Sequence, residues 1–223
     1  MSCGPVGPGD ARDRFDIGLI MKSCRADGKI LKPDKPATAI DLQIVGEAFG
    51  KPMGQVWSTY TCIGNYQFGI LFQAETPDTL SISVRDLNIN GLLSKTYVKF
   101  NNVSNFEMVH DISNITLSKL GSQESQITYF SPILYSSQQE NVTLLGELDK
   151  WVPVSNDRIQ QLTILPSVNG VEIQLEIVGN PQEVVTFTFL RLVMTGEPTI
   201  INITCHMPET GSATILYSKQ SCL

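Results

Sequence analysis

Few residues in this chain could do chemistry by themselves, and their spacing narrows the choices. His110 and His206 are the only histidines. No Gly-x-Ser-x-Gly elbow accompanies them, so a Ser-His-Asp hydrolytic triad has no support. Gly4 to Gly9 is glycine-rich and precedes a helical pattern, but it lacks the Gly-Lys-Ser/Thr ending of a phosphate cradle. Cysteines stand at 3, 24, 62, 205 and 222 with no Cys-x-x-Cys, a spacing that does not build a zinc site. No metal set and no cofactor motif emerges. The acids Asp86, Glu107, Asp111, Glu124, Glu140, Glu147 and Asp149 fall at loops and strand ends, where solvated carboxylates are ordinary. Aromatic rings remain. Trp151 lies in a loop, where its ring could stack on a sugar or pack in a core; Trp57, Tyr60, Tyr66 and Phe68 gather about one hairpin and read first as core.

The elements that would position these groups begin with a helix. Gly4-Pro5-Val6-Gly7-Pro8-Gly9-Asp10 is a stiff turn ending in an acid suited to the N-cap, with Asp13 in the favourable first turn. Ile17, Ile20, Met21 and Cys24 then recur on one face, which predicts a helix from about Ala11 to about Cys24. Arg25-Ala26-Asp27-Gly28 closes it, and Pro33 and Pro36 prevent its return. After that the patterning is β. Ala39–Val45 reads as a strand and Glu47–Met53 as a loop. Gln55–Ile63 and Tyr66–Glu75 form a hairpin about Gly64-Asn65. Thr79–Leu87 and Val171–Val178 alternate cleanly, and Asn90-Gly91 marks a turn. About twelve short strands follow one another with turns every 8 to 12 residues, the pattern of an antiparallel β-sandwich. The one shift in composition, at 26 to 38, divides the chain into a helical piece, 1–37, and a β-domain, 38–223.

The opening third resembles one place in glycoside hydrolases of the raffinose-synthase and α-galactosidase type. The Gly-Pro-Val of residues 4–6, the nearby Asp10, the helix, then Arg25-Ala26-Asp27-Gly28 with Leu31 and Pro36 match the end of that family's (β/α)8 barrel. Gly54-Gln55-Val56-Trp57-Ser58-Thr59-Tyr60 and Tyr66-Gln67-Phe68-Gly69-Ile70 are similar to the first strand pair of its C-terminal β-domain. The resemblance implies a fragment: the last barrel strand and helix followed by the accessory sandwich. It implies a retaining parent acting on α-galactosides, whose two catalytic carboxylates come from earlier barrel strands that this chain does not contain. No catalytic residue is then expected here. Asp10 would stand at the substrate end of the barrel within reach of a sugar hydroxyl, and the carbohydrate partner would be held through the missing barrel; Trp151, from its ring and its loop position alone, is a second candidate sugar contact.

Composition sets limits on both readings. Charged residues make up 17%, aromatics 8%, and the mean hydropathy is +0.02, values of a folded chain rather than a disordered one. A net charge of −6 without a basic cluster argues against nucleic acid. No apolar run reaches a membrane span of about 18 residues. Sequons at Asn102, Asn114, Asn141 and Asn202 suit a secreted or lysosomal parent, if that parent carries a signal peptide; a parent without one would be cytoplasmic. Cys205 and Cys222 flank the last hairpin and are the best-placed pair for a disulfide, with buried free thiols the competing reading. The expected function is therefore a non-catalytic accessory piece of a glycoside hydrolase. The alternative is a self-standing secreted β-sandwich module that binds glycan or protein.

Overall fold

The computed structural model describes Cys3 and residues 14–89, 94–167, 170–193 and 195–223. The chain is mainly β, with antiparallel pairing throughout. It forms two compact units. A terminal unit takes the described residues through Asp34 together with Leu134–Leu223; an inserted unit takes Lys35–Ile133. The first break follows Asp34. The second, after Ile133, falls inside β8 (Ser125–Ser136), where no loop or change of composition marks it. Among the described residues, no helix is long and apolar enough to cross a membrane.

In the inserted unit, β1 (Thr38–Ala39), β2 (Gln55–Ile63), β3 (Tyr66–Ala74), β5 (Thr96–Asn102) and β6 (Asn105–His110) join β8 in one sheet, in the order β1-β2-β3-β8-β5-β6. A separate ribbon pairs β4 (Leu80–Ser83) with β7 (Asn114–Leu117). Leu71, Tyr97, Val109 and Phe130 from the sheet bury against Ile82, Ile115 and Leu117 from the ribbon. Each such side chain contributes roughly 2–3 kcal/mol of apolar burial. Gly69 belongs to this core by what it lacks: a Cβ there would sit 2.0 Å from Ile89 Cδ1. The strand expected over Thr79–Leu87 stops at Ser83. Val84–Leu87 is a 3-10 turn, held by a reciprocal cap between Ser83 and Asp86 that local alternation does not register.

The strand expected over Ala39–Val45 is instead a helix. After α1 (Ile17–Met21), α2 spans Asp41–Ala48. Apolar periodicity misleads here because the helix is held by a polar tether. Gln43 is buried; its Oε1 accepts the Val56 N–H at 2.8 Å and its Nε2 donates to Glu47 Oε1 at 2.8 Å, one turn on. Leu42, Ile44 and Val45, apolar residues of that span, are exposed. Gln43→Leu leaves the Val56 N–H without its acceptor, an expected loss of about 1–3 kcal/mol measurable by urea denaturation, although the side chain becomes more apolar.

In the terminal unit, β9 (Glu140–Gly146), β12 (Val184–Val193) and β13 (Thr199–His206) form one sheet. The other contains β10 (Ile159–Ser167), β11 (Gly170–Val178), β14 (Ser212–Leu216) and β15 (Ser221–Cys222). Val171, Ile173, Leu175 and Ile177 are buried in strict alternation along β11. Phe189 and Tyr217 bring their rings to 5.1 Å between the sheets, and Cys205 on β13 is disulfide-bonded to Cys222 on β15 across Cα atoms 5.4 Å apart.

Candidate functional site

The N-terminal segment and the loop that grips it are the part of the terminal unit with the most polar chemistry. Asp10 lies outside the described residues. The first helix, α1, spans Ile17–Met21 and is shorter than the expected 11–24: residues 14–16 are not helical, and Asp16 is the cap, accepting the Leu19 N–H at 2.9 Å. Four residues past its end, Arg25–Gly28 is a turn within a small hairpin rather than a helix C-cap. Cys24 bridges Ile30, the Gly28 N–H donates to Arg25 O at 3.0 Å, and Gly28 takes φ +83°. The positive φ that the sequence required of Gly28 is present, in a different kind of turn. Arg25 also holds the Asp27 carboxylate, keeping its pKa below the usual carboxylate range.

Residues 147–158 wrap this segment. Lys150 Nζ donates to Met21 O at 2.9 Å and the Trp151 N–H donates to Lys22 O at 2.9 Å, satisfying carbonyls at the helix end. Lys22 Nζ lies 5.0 Å over the Trp151 ring, within cation–π range. Arg25 donates to Asp157 O at 3.0 Å, Lys29 pairs with the Asp157 carboxylate at 3.0 Å, and Ser155 Oγ donates to Lys32 O at 2.9 Å. Trp151, expected at a sugar, thus fastens the helix with its backbone and carries a lysine over its ring.

Beneath the loop is a buried ionic cluster that the sequence reading missed. Arg158 is 1% exposed. Its Nε donates to Glu147 Oε1 at 2.8 Å; its two terminal nitrogens donate to the Glu183 carboxylate at 3.0 and 2.6 Å, and one of them also to Val178 O at 3.0 Å. Glu183 in turn accepts the N–H groups of Asn180 and Ala26 at 2.9 and 3.1 Å. The cluster closes the base of the loop and reaches the Arg25–Gly28 turn. One signal for it was present in the sequence: Glu147 interrupts the otherwise apolar run Leu144–Leu148. Burial pushes the Glu147 carboxyl above its ordinary range, against the pull of Arg158. Burial also pushes Glu183 upward, but the hydrogen bonds from Arg158, Asn180 and Ala26 outweigh it, and Glu183 lies below its ordinary range. Both acids are engaged by one guanidinium, so neither is a free general acid or base.

The other expected residues lie apart. Asn102, Asn114 and Asn202 are exposed and Asn141 is half-buried; Asn202 accepts from Thr188 Oγ1 at 2.9 Å. His110 is on β6 of the inserted unit, its Nδ1 3.1 Å from Thr96 Oγ1, and His206 is on β13 of the terminal unit. Among the described residues, no group of three His, Cys, Asp or Glu could hold a metal ion. No protein-family model matches the chain, and no curated protein matches it.

Proposed function

We propose that the chain is the accessory, non-catalytic end of a glycoside hydrolase acting on α-galactosides: the last barrel strand and helix with the β-structure that buttresses them. Asp10 and Trp151 would be its contributions to the substrate side. One observation supports this reading over a self-standing module. Among the described residues, the apolar surface around α1 is left uncovered: Phe15, Ile17 and Leu19 are 53%, 70% and 52% exposed, and no residue of α1 is buried. A helix made to pack on further barrel elements exposes such a surface when those elements are absent; a self-contained module gains stability by burying it.

Ile17→Glu tests this. In the 223-residue chain the substitution is expected to change stability by no more than about 0.5 kcal/mol, as at other exposed sites. In a parent that carries the barrel, the same change buries an unpaired charge and costs several kcal/mol, with loss of α-galactoside hydrolysis. A large fall in the unfolding temperature of the chain alone would show that Ile17 packs on its own unit and would favour the self-standing module.

A further inference from the structure

The inner face of the inserted unit changes character along its strands. At one end it is apolar, through Leu71, Tyr97, Val109 and Phe130. Two residues further along each strand, and therefore on the same face, stand Gln73, Lys99, Glu107 and Thr128. The pairing register agrees: Gln73 is opposite Gln126, Thr128 opposite Leu71, and Lys99 opposite Glu107. A sheet face covered by a second layer ordinarily stays apolar, because burying polar groups costs free energy. Two of these polar side chains are well inside, Gln73 at 1% and Thr128 at 5% exposed, while Lys99 and the exposed Glu107 stand at the rim. Thr116, Leu117 and Ser118 of β7 and its continuation form the opposite wall, and the layers enclose a cleft of about 150 Å³.

Part of this lining is fixed and part is open. The Gln73 amide donates to Thr76 Oγ1 at 2.6 Å and to Ser118 O at 2.5 Å, which sets its orientation. Lys99 Nζ and the Glu107 carboxylate pair at 2.7 Å, so the cleft carries no net charge from its ionic groups. The side-chain amides of Asn101 and Gln126 and the Thr128 hydroxyl line the same cleft and make no side-chain hydrogen bond among the described residues. Amides and hydroxyls both donate and accept. A cleft near 150 Å³ has room for roughly one ring of benzene's size, so a bulkier ring keeps part of its substituents at the open side. Phosphate or nucleotide ligands need uncompensated positive charge, and apolar ligands need an apolar lining; this cleft has neither.

We infer that the cleft binds a single neutral pyranose unit, whose hydroxyls meet Gln126, Thr128 and Asn101 while Leu117 packs against its C–H face. The site lies wholly within the inserted unit. It asks nothing of Asp10, Trp151 or the barrel, so it stands or falls separately from the proposed function.

The test is an NMR titration of the full chain with methyl α-D-galactopyranoside, methyl α-D-glucopyranoside and methyl α-D-mannopyranoside. At least one is expected to give saturable amide shifts mapping to residues 73, 99–107, 116–118 and 126–128. Thr128→Val, which preserves shape, and Gln126→Leu are each expected to weaken that binding roughly tenfold. No saturable shift with any of the three sugars would overturn the inference. So would shifts that map elsewhere, or binding that Thr128→Val leaves unchanged while the variant's spectrum shows a folded protein.

Discussion

Arg158→Met is expected to destabilise the terminal unit by about 3–5 kcal/mol. Methionine roughly fills the volume, so the loss is electrostatic. Two buried carboxylates, Glu147 and Glu183, lose the guanidinium that neutralises both. Val178 O loses a donor as well. Adding Glu147→Leu to Arg158→Met should recover part of the loss by removing one stranded charge. Removing Glu183 should not help, because the Asn180 and Ala26 N–H groups depend on it. The two acids also predict opposite pH dependences. Glu183 titrates below its unfolded value of about 4.3, so its stabilisation is complete above that value and is lost as the pH falls through the lower folded pKa. Glu147 titrates above it, so the folded state holds the proton longer and stability declines as the pH rises through the folded pKa. Glu183→Gln should flatten the first slope and Glu147→Gln the second, read as urea midpoints across pH.

Gly146→Ala is expected to cost about 3 kcal/mol, by a mechanism confined to the backbone. Gly146 has φ +91°, and a Cβ built there would lie 2.3 Å from Pro153 O. That carbonyl accepts the Glu147 N–H at 2.9 Å and cannot move without opening the loop. Opposite Gly146, the β9–β12 register slips between Thr188 and Phe189, so the glycine ends the pairing and turns the chain into the 147–158 loop. The same substitution should loosen the grip on α1. Thermal unfolding reads the first effect, and hydrogen exchange at Trp151 N–H, which donates to Lys22 O, reads the second. A loss below about 1 kcal/mol would mean that the loop adjusts freely.

What the sequence could and could not reveal follows from which interactions are local. Strands with one buried face were legible: Val171–Val178 alternates in sequence and in burial alike, and Gly64-Asn65 marked the β2–β3 hairpin because the turn needs a positive φ, which Gly64 supplies at +59°. Helix α2 was not legible, since a buried glutamine holds it and its apolar residues face outward. Arg158 was not legible because its partners lie 11 and 25 residues away, with no period connecting them. The polar cleft was hidden for a similar reason. Gln73 and Thr128 look like ordinary solvent-side strand residues until the pairing register puts them on the face shared with Leu71 and Phe130.

Whether the chain is the end of a barrel glycosidase is decided by sequencing the transcript upstream of the Met1 codon. The expected result is an open frame running into Met1 that encodes on the order of 200 or more residues of alternating strand and helix, as a barrel requires. The extended protein is then expected to hydrolyse p-nitrophenyl α-galactoside while the 223-residue chain does not. An in-frame stop immediately upstream, or α-galactosidase activity from the purified 223-residue chain, would rule the proposal out.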